Sequence, residues 1–329
     1  MAVSGELVSL VSVGAVALYT LVTAASRAID RVLALAEHYD VAEVLVGLTV
    51  VAVGTSLPEL SSHVVASLGI LSGVFDYEAT SAVVIGGNTG SSTVQQLLLV
   101  GVLLIGYGSL DLRGAFVRDV YLPMLAAFAV TLALAWDGTI GRLDGVLLLA
   151  LYVAYVAVSI RRRERTQTLR EPPSVDPRRD ALAAAGLLVL VVLAASLLLS
   201  VAEVVVERLA LGGSTVGVVT IGVAAALPEL TAVTDAVRRR SPNVALGTLV
   251  GSNVVNLLVG LGLGGVISTY YVPPVVVLWD LPFKFAAGAG LLAWALYAND
   301  GELSRGAGAT LMGLYFLFVV GRLLLFPGQ

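Results

Sequence analysis

The chain has 329 residues, a length that in a soluble protein implies two or three domains. Composition excludes that: 58% of residues are hydrophobic and 13% charged, about half the charged share of ordinary soluble domains. A mean hydropathy of +0.95 leaves too little polar surface to cover a water-soluble globule. A net charge of −4 with a single lysine excludes a basic nucleic-acid footprint, and the absence of cysteine excludes disulfides, thiolate metal sites and cysteine nucleophiles.

A helix needs about 20 mostly apolar residues to cross the hydrocarbon core. On that measure the sequence predicts ten spans, at 5–26, 41–71, 79–106, 116–136, 143–160, 181–206, 214–237, 242–268, 273–298 and 306–326. The first lacks a basic leader and carries Glu6 near its front, so it reads as a span rather than a cleavable signal. Five spans precede and five follow the stretch Arg161 to Asp180, which holds seven arginines and Pro172, Pro173 and Pro177 and reads as a solvated linker. The expected organisation is a first five-helix unit at 1–160, a linker at 161–180 and a second unit at 181–329.

Arginine placement sets the orientation. With the linker cytoplasmic, both termini lie outside, and Arg27, Arg31, Arg113, Arg118, the linker, Arg238 to Arg240 and Arg305 fall inside, fifteen of the 19 basic residues. Arg142, Arg208, Lys284 and Arg322 are expected outside. Tyr270, Tyr271 and Trp279 read as interface anchors, Glu203 as part of a solvated end of the sixth span, and Asp119 and Asp280 as acids in the first turn of a helix.

The two units share motifs in one order. Leu57-Pro58-Glu59-Leu60 recurs as Leu227-Pro228-Glu229-Leu230, Gly90-Ser91 as Gly251-Ser252, and Asp137-Gly138 as Asp300-Gly301. A unit of five spans is odd, so its second copy sits upside down in the bilayer. The expected fold is therefore all-α integral membrane, with ten transmembrane helices as two inverted-topology five-helix repeats. Inverted repeats mark secondary transporters, whose site lies near the midplane between the repeats.

Glu59 follows 15 uncharged residues and Glu229 follows 20. A carboxylate at that depth costs on the order of 3 kcal/mol even on the lenient insertion scale, so each is expected to face a cavity, hold a cation or take up a proton. Each follows a proline, which disturbs helical hydrogen bonding and frees carbonyl oxygens beside the acid. Hard cations such as Ca²⁺ take six to eight oxygens. The small polar run from Gly86 to Ser92, with Gln95 and Gln96, is matched by Gly247 to Asn253 with Asn256. Glycine lets helices approach closely, and the hydroxyls and amides supply neutral oxygens. His63 stands one helical turn after Glu59; it is either a hydrogen-bonded core histidine or, because imidazole titrates near neutrality, a proton carrier.

GTSLPEL at 54–60 and ALGTLVGSNVVNLLVGLG at 245–262 resemble the repeat signatures of the sodium/calcium exchanger (cation/Ca²⁺ antiporter) superfamily, prokaryotic type. The resemblance implies exchange of Na⁺, or H⁺ in some branches, against Ca²⁺ by alternating access, with no cofactor and no enzymatic activity. It implies a metal site of Glu59, Glu229, Thr55, Ser56, Ser91, Gln95, Ser252 and Asn256, joined by the carbonyls of Ala52 and Gly222. Two departures stand out: Ala225-Ala226 replaces the Thr55-Ser56 pair in the second repeat, and Gln95 replaces the usual asparagine. The two glutamates still neutralise one Ca²⁺, while the Na⁺ positions lose two hydroxyls. The expected partners are Ca²⁺, Na⁺ or H⁺, and the lipid of a cell membrane, with neither a nucleic acid nor an obligatory protein partner. Two rivals remain open at this point: an H⁺-coupled divalent exchanger, and a channel or ion sensor without obligatory exchange.

Overall fold

The computed structural model describes residues 2–38, 56–111, 114–162, 177–209, 212–227, 229–230, 233–234, 242–298, 301–326 and 328. Among these, eight helices are long and apolar enough to cross a membrane. They are α1 (Ala2–His38), α3 (Tyr77–Tyr107), α4 (Val117–Asp137), α5 (Arg142–Arg162), α6 (Pro177–Leu209), α8 (Pro242–Val255 continuing to Ser268), α9 (Val276–Tyr297) and α10 (Arg305–Leu325). The predicted second and seventh spans are represented by α2 (Leu57–Ser72) and α7 (Gly213–Ala225); part of each lies outside the described residues. The fold is the all-α, ten-helix membrane fold read from the sequence.

The halves are related as inverted repeats. Four short strands, β1 (Ser109–Asp111), β2 (Thr139–Ile140), β3 (Tyr270–Tyr271) and β4 (Glu302–Ser304), form two antiparallel ribbons, β1 with β4 and β2 with β3. Each ribbon takes one strand from each half: β1 follows α3 as β3 follows α8, and β2 precedes α5 as β4 precedes α10. The helices obey the same exchange, since the end of α8 packs on α5 as the end of α3 packs on α10, and α1 packs along α6. These ribbons satisfy backbone groups at the helix ends that lipid would leave unpaired.

Two helices form the centre. In the spans of α3 and α8, 78% and 72% of the residues are buried, against 39% or less in the other six. Each of the pair contains a π-helical turn at a matching place, Val94–Leu99 in α3 and Asn256–Leu261 in α8. A further turn of this kind, Gly217–Gly222, lies in α7. π-Turns insert one residue into the ladder and concentrate at functional sites. Gln95, Asn256 and Gly222 all lie on them.

Several readings of polar residues are corrected by packing. Lys284 and Arg322 were expected outside; both are fully buried, at 0% and 1% exposure. They sit inside α9 and α10 and drop out of the loop count. Asp280 is more than a first-turn acid: it pairs with Arg322 at 3.0 Å, both side chains buried. Asp119 does behave as a helix-start acid, bonded to its neighbour Arg118 at 2.8 Å. Tyr270 is no interface anchor: it is fully buried, and its hydroxyl donates to the backbone oxygen of His63 at 2.8 Å. Glu203 is not simply solvated, since it accepts from the Thr80 hydroxyl and from the Asp76 amide, tying α6 to the start of α3.

Candidate functional site

The site is assembled where α2 and α7 break. Ser56 holds φ −91°, ψ 9°, and α2 starts directly after it with Pro58 in its first turn. The repeat-related Ala226 holds φ −80°, ψ 2° after α7 ends at Ala225. Proline fits there because its missing N–H falls among the first-turn donors that have no intrahelical acceptor. Pro58 thus sits in the opening turn of a helix rather than inside one. Glu59 lands in a first turn, where the helix dipole favours negative charge. Leu60 N–H bonds to Ser56 O at 2.9 Å, and Leu230 N–H to Ala226 O at 3.1 Å, so the two breaks are built alike.

Close backbone approach holds these segments against α3. A Cβ added to Gly222 would stand 2.6 Å from the Ser91 nitrogen and 2.8 Å from the Gly90 carbonyl carbon. No side chain larger than hydrogen fits at that contact. The glycines of α3 and α7 therefore serve packing, and the polar residues between them are left to line the site.

Glu59 and Glu229 are buried, with 4% and 0% exposure, and are close enough to interact electrostatically. Ser91 donates its hydroxyl proton to Glu59 Oε1 at 2.6 Å, and Gln95 Nε2 reaches the Ser91 Oγ at 3.2 Å. Gln95 Oε1 in turn accepts from Asn253 Nδ2 at 3.1 Å, joining α3 to α8. Asn256 and Ser252 are side-chain neighbours of Glu59 and Glu229 respectively. Yet Glu59 Oε2, both oxygens of Glu229, both polar atoms of the Asn256 amide and the Ser56 hydroxyl lack a hydrogen-bond partner. Buried polar atoms are nearly always paired in folded proteins, and these oxygens, gathered around two carboxylates, are of the kind that could hold a hard cation. Gly222 O accepts from Ala226 N–H at 3.2 Å and keeps its second lone pair. Thr55 and Ala52 lie outside the described residues.

A cavity of about 20 Å³ adjoins Glu59, and space of about 10–15 Å³ already admits one water-sized occupant. Its walls include Glu59 and His63 of α2, Asn88 of α3 and Ala225 of α7, and it is covered by Leu18 of α1 and Leu198 of α6. His63 itself is held by Asn88 Nδ2 at its Nε2, 2.7 Å, with Tyr270 OH 3.3 Å from its Nδ1.

The sequence reading missed the buried charges beside this site. Lys284 Nζ donates to Ser92 Oγ at 2.5 Å and stands 4.6 Å over the Phe128 ring. Arg322 grips Asp280, Ser214 and Thr215 at once, locking α10 and α9 to the start of α7. The available signal was the single lysine of the sequence, set in a helix whose one other charge is Asp280, which the span count treated as a flank.

The profile of the sodium/calcium exchanger protein family matches residues 9–161 and 181–324. The chain belongs to this family. The inner membrane protein YrbG of Escherichia coli (strain K12) is 26% identical over 317 residues, covering 92% of this chain and 94% of its own. The sodium/calcium exchanger MaX1 of Methanosarcina acetivorans is 25% identical over 328 residues, covering 87% and 90%. Among solved structures, the sodium-calcium exchanger NCX_Mj superposes with a TM-score of 0.63 at 21% identity, over 94% of this chain and 97% of that one. The H⁺/Ca²⁺ exchanger CAX gives 0.74 at 17%, over 97% and 82%; at these identities the likeness is one of fold. The exchanger family and this fold together make the chain a multi-pass membrane antiporter of the cation/Ca²⁺ superfamily.

Proposed function

We propose that this chain exchanges Na⁺ for Ca²⁺ by alternating access, with the cation held at the midplane between Glu59 and Glu229. The observation that carries the reading is the state of those carboxylates. They come from opposite repeats, interact electrostatically, and three of their four oxygens lack a well-formed hydrogen bond, with the Asn256 and Ser252 side chains beside them. Two negative charges balance one Ca²⁺. Ca²⁺ takes six to eight oxygens, four of them available from the carboxylates and the rest from among the flanking Thr55, Ser56, Ser91, Gln95, Ser252 and Asn256, while the carbonyls of Ala52 and Gly222 serve the outer Na⁺ positions.

Exchange then follows from competition. Without a cation, two buried carboxylates repel each other in a medium of low dielectric, so the repeats exchange access only when loaded with Ca²⁺ or with Na⁺. The leucines of α1 and α6 over the cavity are the cover that moves. In this reading residues 1–160 and 181–329 are the two repeats, 161–180 is a cytoplasmic linker, and both termini face outward in the cell membrane.

A second reading, H⁺/Ca²⁺ exchange, is favoured by the loss of hydroxyls at Ala225 and Ala226. Protons would then compete at the glutamates themselves. Ca²⁺ binding to Glu59→Gln and Glu229→Gln in detergent tests the site under either coupling. Loss of binding in both is expected, and parental binding in both overturns the assignment.

A further inference from the structure

We propose that Lys284 is a tethered counter-cation of the transport site, a fixed charge standing in place of one transported monovalent ion. The inference rests on the exchanger reading above and adds to it a determinant of how many ions are exchanged. Lys284 is the single lysine of the sequence, and it is fully buried. Its ammonium donates to Ser92 Oγ at 2.5 Å, and the Ser92 hydroxyl donates a hydrogen bond to Asn88 O at 2.6 Å, leaving its oxygen to accept. The face of Phe128 lies 4.6 Å away, a placement that attracts a cation. The carboxylate of Asp280 stands one helical turn before it and within electrostatic reach. Every one of these partners suits a positive charge.

Ser92 is the residue after Ser91, whose hydroxyl binds Glu59. The ammonium of α9 is thereby fastened to the same stretch of α3 that forms the site. Asp280 is already engaged by Arg322 at Oδ1, so with Lys284 in its ammonium form the three groups together carry one net positive charge. Glu59 and Glu229 carry two negative ones. Once Ca²⁺ leaves, the lysine offsets one of these charges, and mobile cations need offset only the remainder. The feature is one-sided: the second repeat has lost two hydroxyls at Ala225 and Ala226, and it has gained an ammonium. The related part of α4, residues 120–134, carries no basic residue.

The test is the thermodynamic coupling number, read in proteoliposomes as the Na⁺ gradient that just holds a given Ca²⁺ gradient. Lys284→Met is expected to need about one additional Na⁺ per Ca²⁺, because removing a buried charge leaves its partner to be compensated by a mobile ion. It is also expected to bind Ca²⁺ severalfold more tightly, because a fixed positive charge fastened beside the site no longer repels the bound cation. Lys284→Gln, which keeps a donor for Ser92, serves if the methionine variant fails to fold, and Lys284→Arg retains the parental number. An unchanged coupling number and unchanged Ca²⁺ affinity in the neutral variants overturn the inference alone. A parent protein that moves Ca²⁺ under no Na⁺ or H⁺ gradient overturns the exchanger reading instead.

Discussion

Asn88 Nδ2 lies 2.7 Å from His63 Nε2, and the same nitrogen lies 2.7 Å from the carbonyl oxygen of Asn256. An amide nitrogen has two protons and no acceptor capacity. One proton goes to the carbonyl, which fixes the orientation of the amide, and the other goes to the imidazole. His63 Nε2 is therefore an acceptor, its proton is on Nδ1 facing Tyr270, and the ring is neutral. Gly260 makes the arrangement possible, since a Cβ there would stand 2.9 Å from the imidazole. Of the two roles the sequence left open for His63, this network supports the hydrogen-bonded core residue.

It follows that His63→Gln leaves the shape of the pH profile of Ca²⁺ transport unaltered, whatever it costs in rate. A titration limb that disappears in this variant, measured as uptake across a series of buffered pH values, would return the proton-carrier role to His63.

Ser91→Ala removes the donor to Glu59 while leaving the backbone contact with Gly222 intact. Hydrogen bonds to charged groups contribute about 1.5–3 kcal/mol, so Ca²⁺ affinity should fall by about tenfold or more. Calorimetric titration of the purified variant reads this directly, and parental affinity would place Ser91 outside the site.

Restoring hydroxyls with Ala225→Thr and Ala226→Ser should strengthen Na⁺ binding, because both alanines are buried beside the break in α7 at the places that Thr55 and Ser56 hold in the first repeat. The measurement is inhibition of Ca²⁺ binding by Na⁺. A double variant with unaltered Na⁺ inhibition would mean that this repeat contributes no Na⁺ position.

Asp280→Asn leaves Arg322 buried without its carboxylate. Breaking a buried pair by removing one partner costs about 3–5 kcal/mol, so the variant should melt well below the parent in detergent. Asp280→Leu with Arg322→Met, which removes both charges, should recover most of the loss; if it does not, the pair does more than fasten α10 to α9.

The sequence made legible what depends on one helix at a time. Span boundaries at 79–106 and 143–160 match α3 and α5 because crossing the hydrocarbon core demands a sustained apolar run whatever neighbours the helix meets. Glu59 and Glu229 were legible because a carboxylate deep in an apolar span is costly and so has a task. Lys284, Arg322 and Tyr270 were misread because their partners are on other helices: Ser92 and Phe128, Ser214 and Thr215, His63 and Ser67. Charge near the end of an apolar run looks the same whether it faces solvent or a neighbour. The effect of Pro58 was also half legible, since the sequence implied a broken helix but not that the break would open a new first turn at Glu59.

The central claim is that Na⁺ and Ca²⁺ compete for Glu59 and Glu229. It is tested most directly by Ca²⁺ uptake into proteoliposomes loaded with Na⁺ and diluted into Na⁺-free buffer, alongside a pH-jump control. The account predicts uptake that requires internal Na⁺ and is abolished in Glu59→Gln and Glu229→Gln. Uptake driven by the proton gradient alone, or undiminished in both variants, would contradict it.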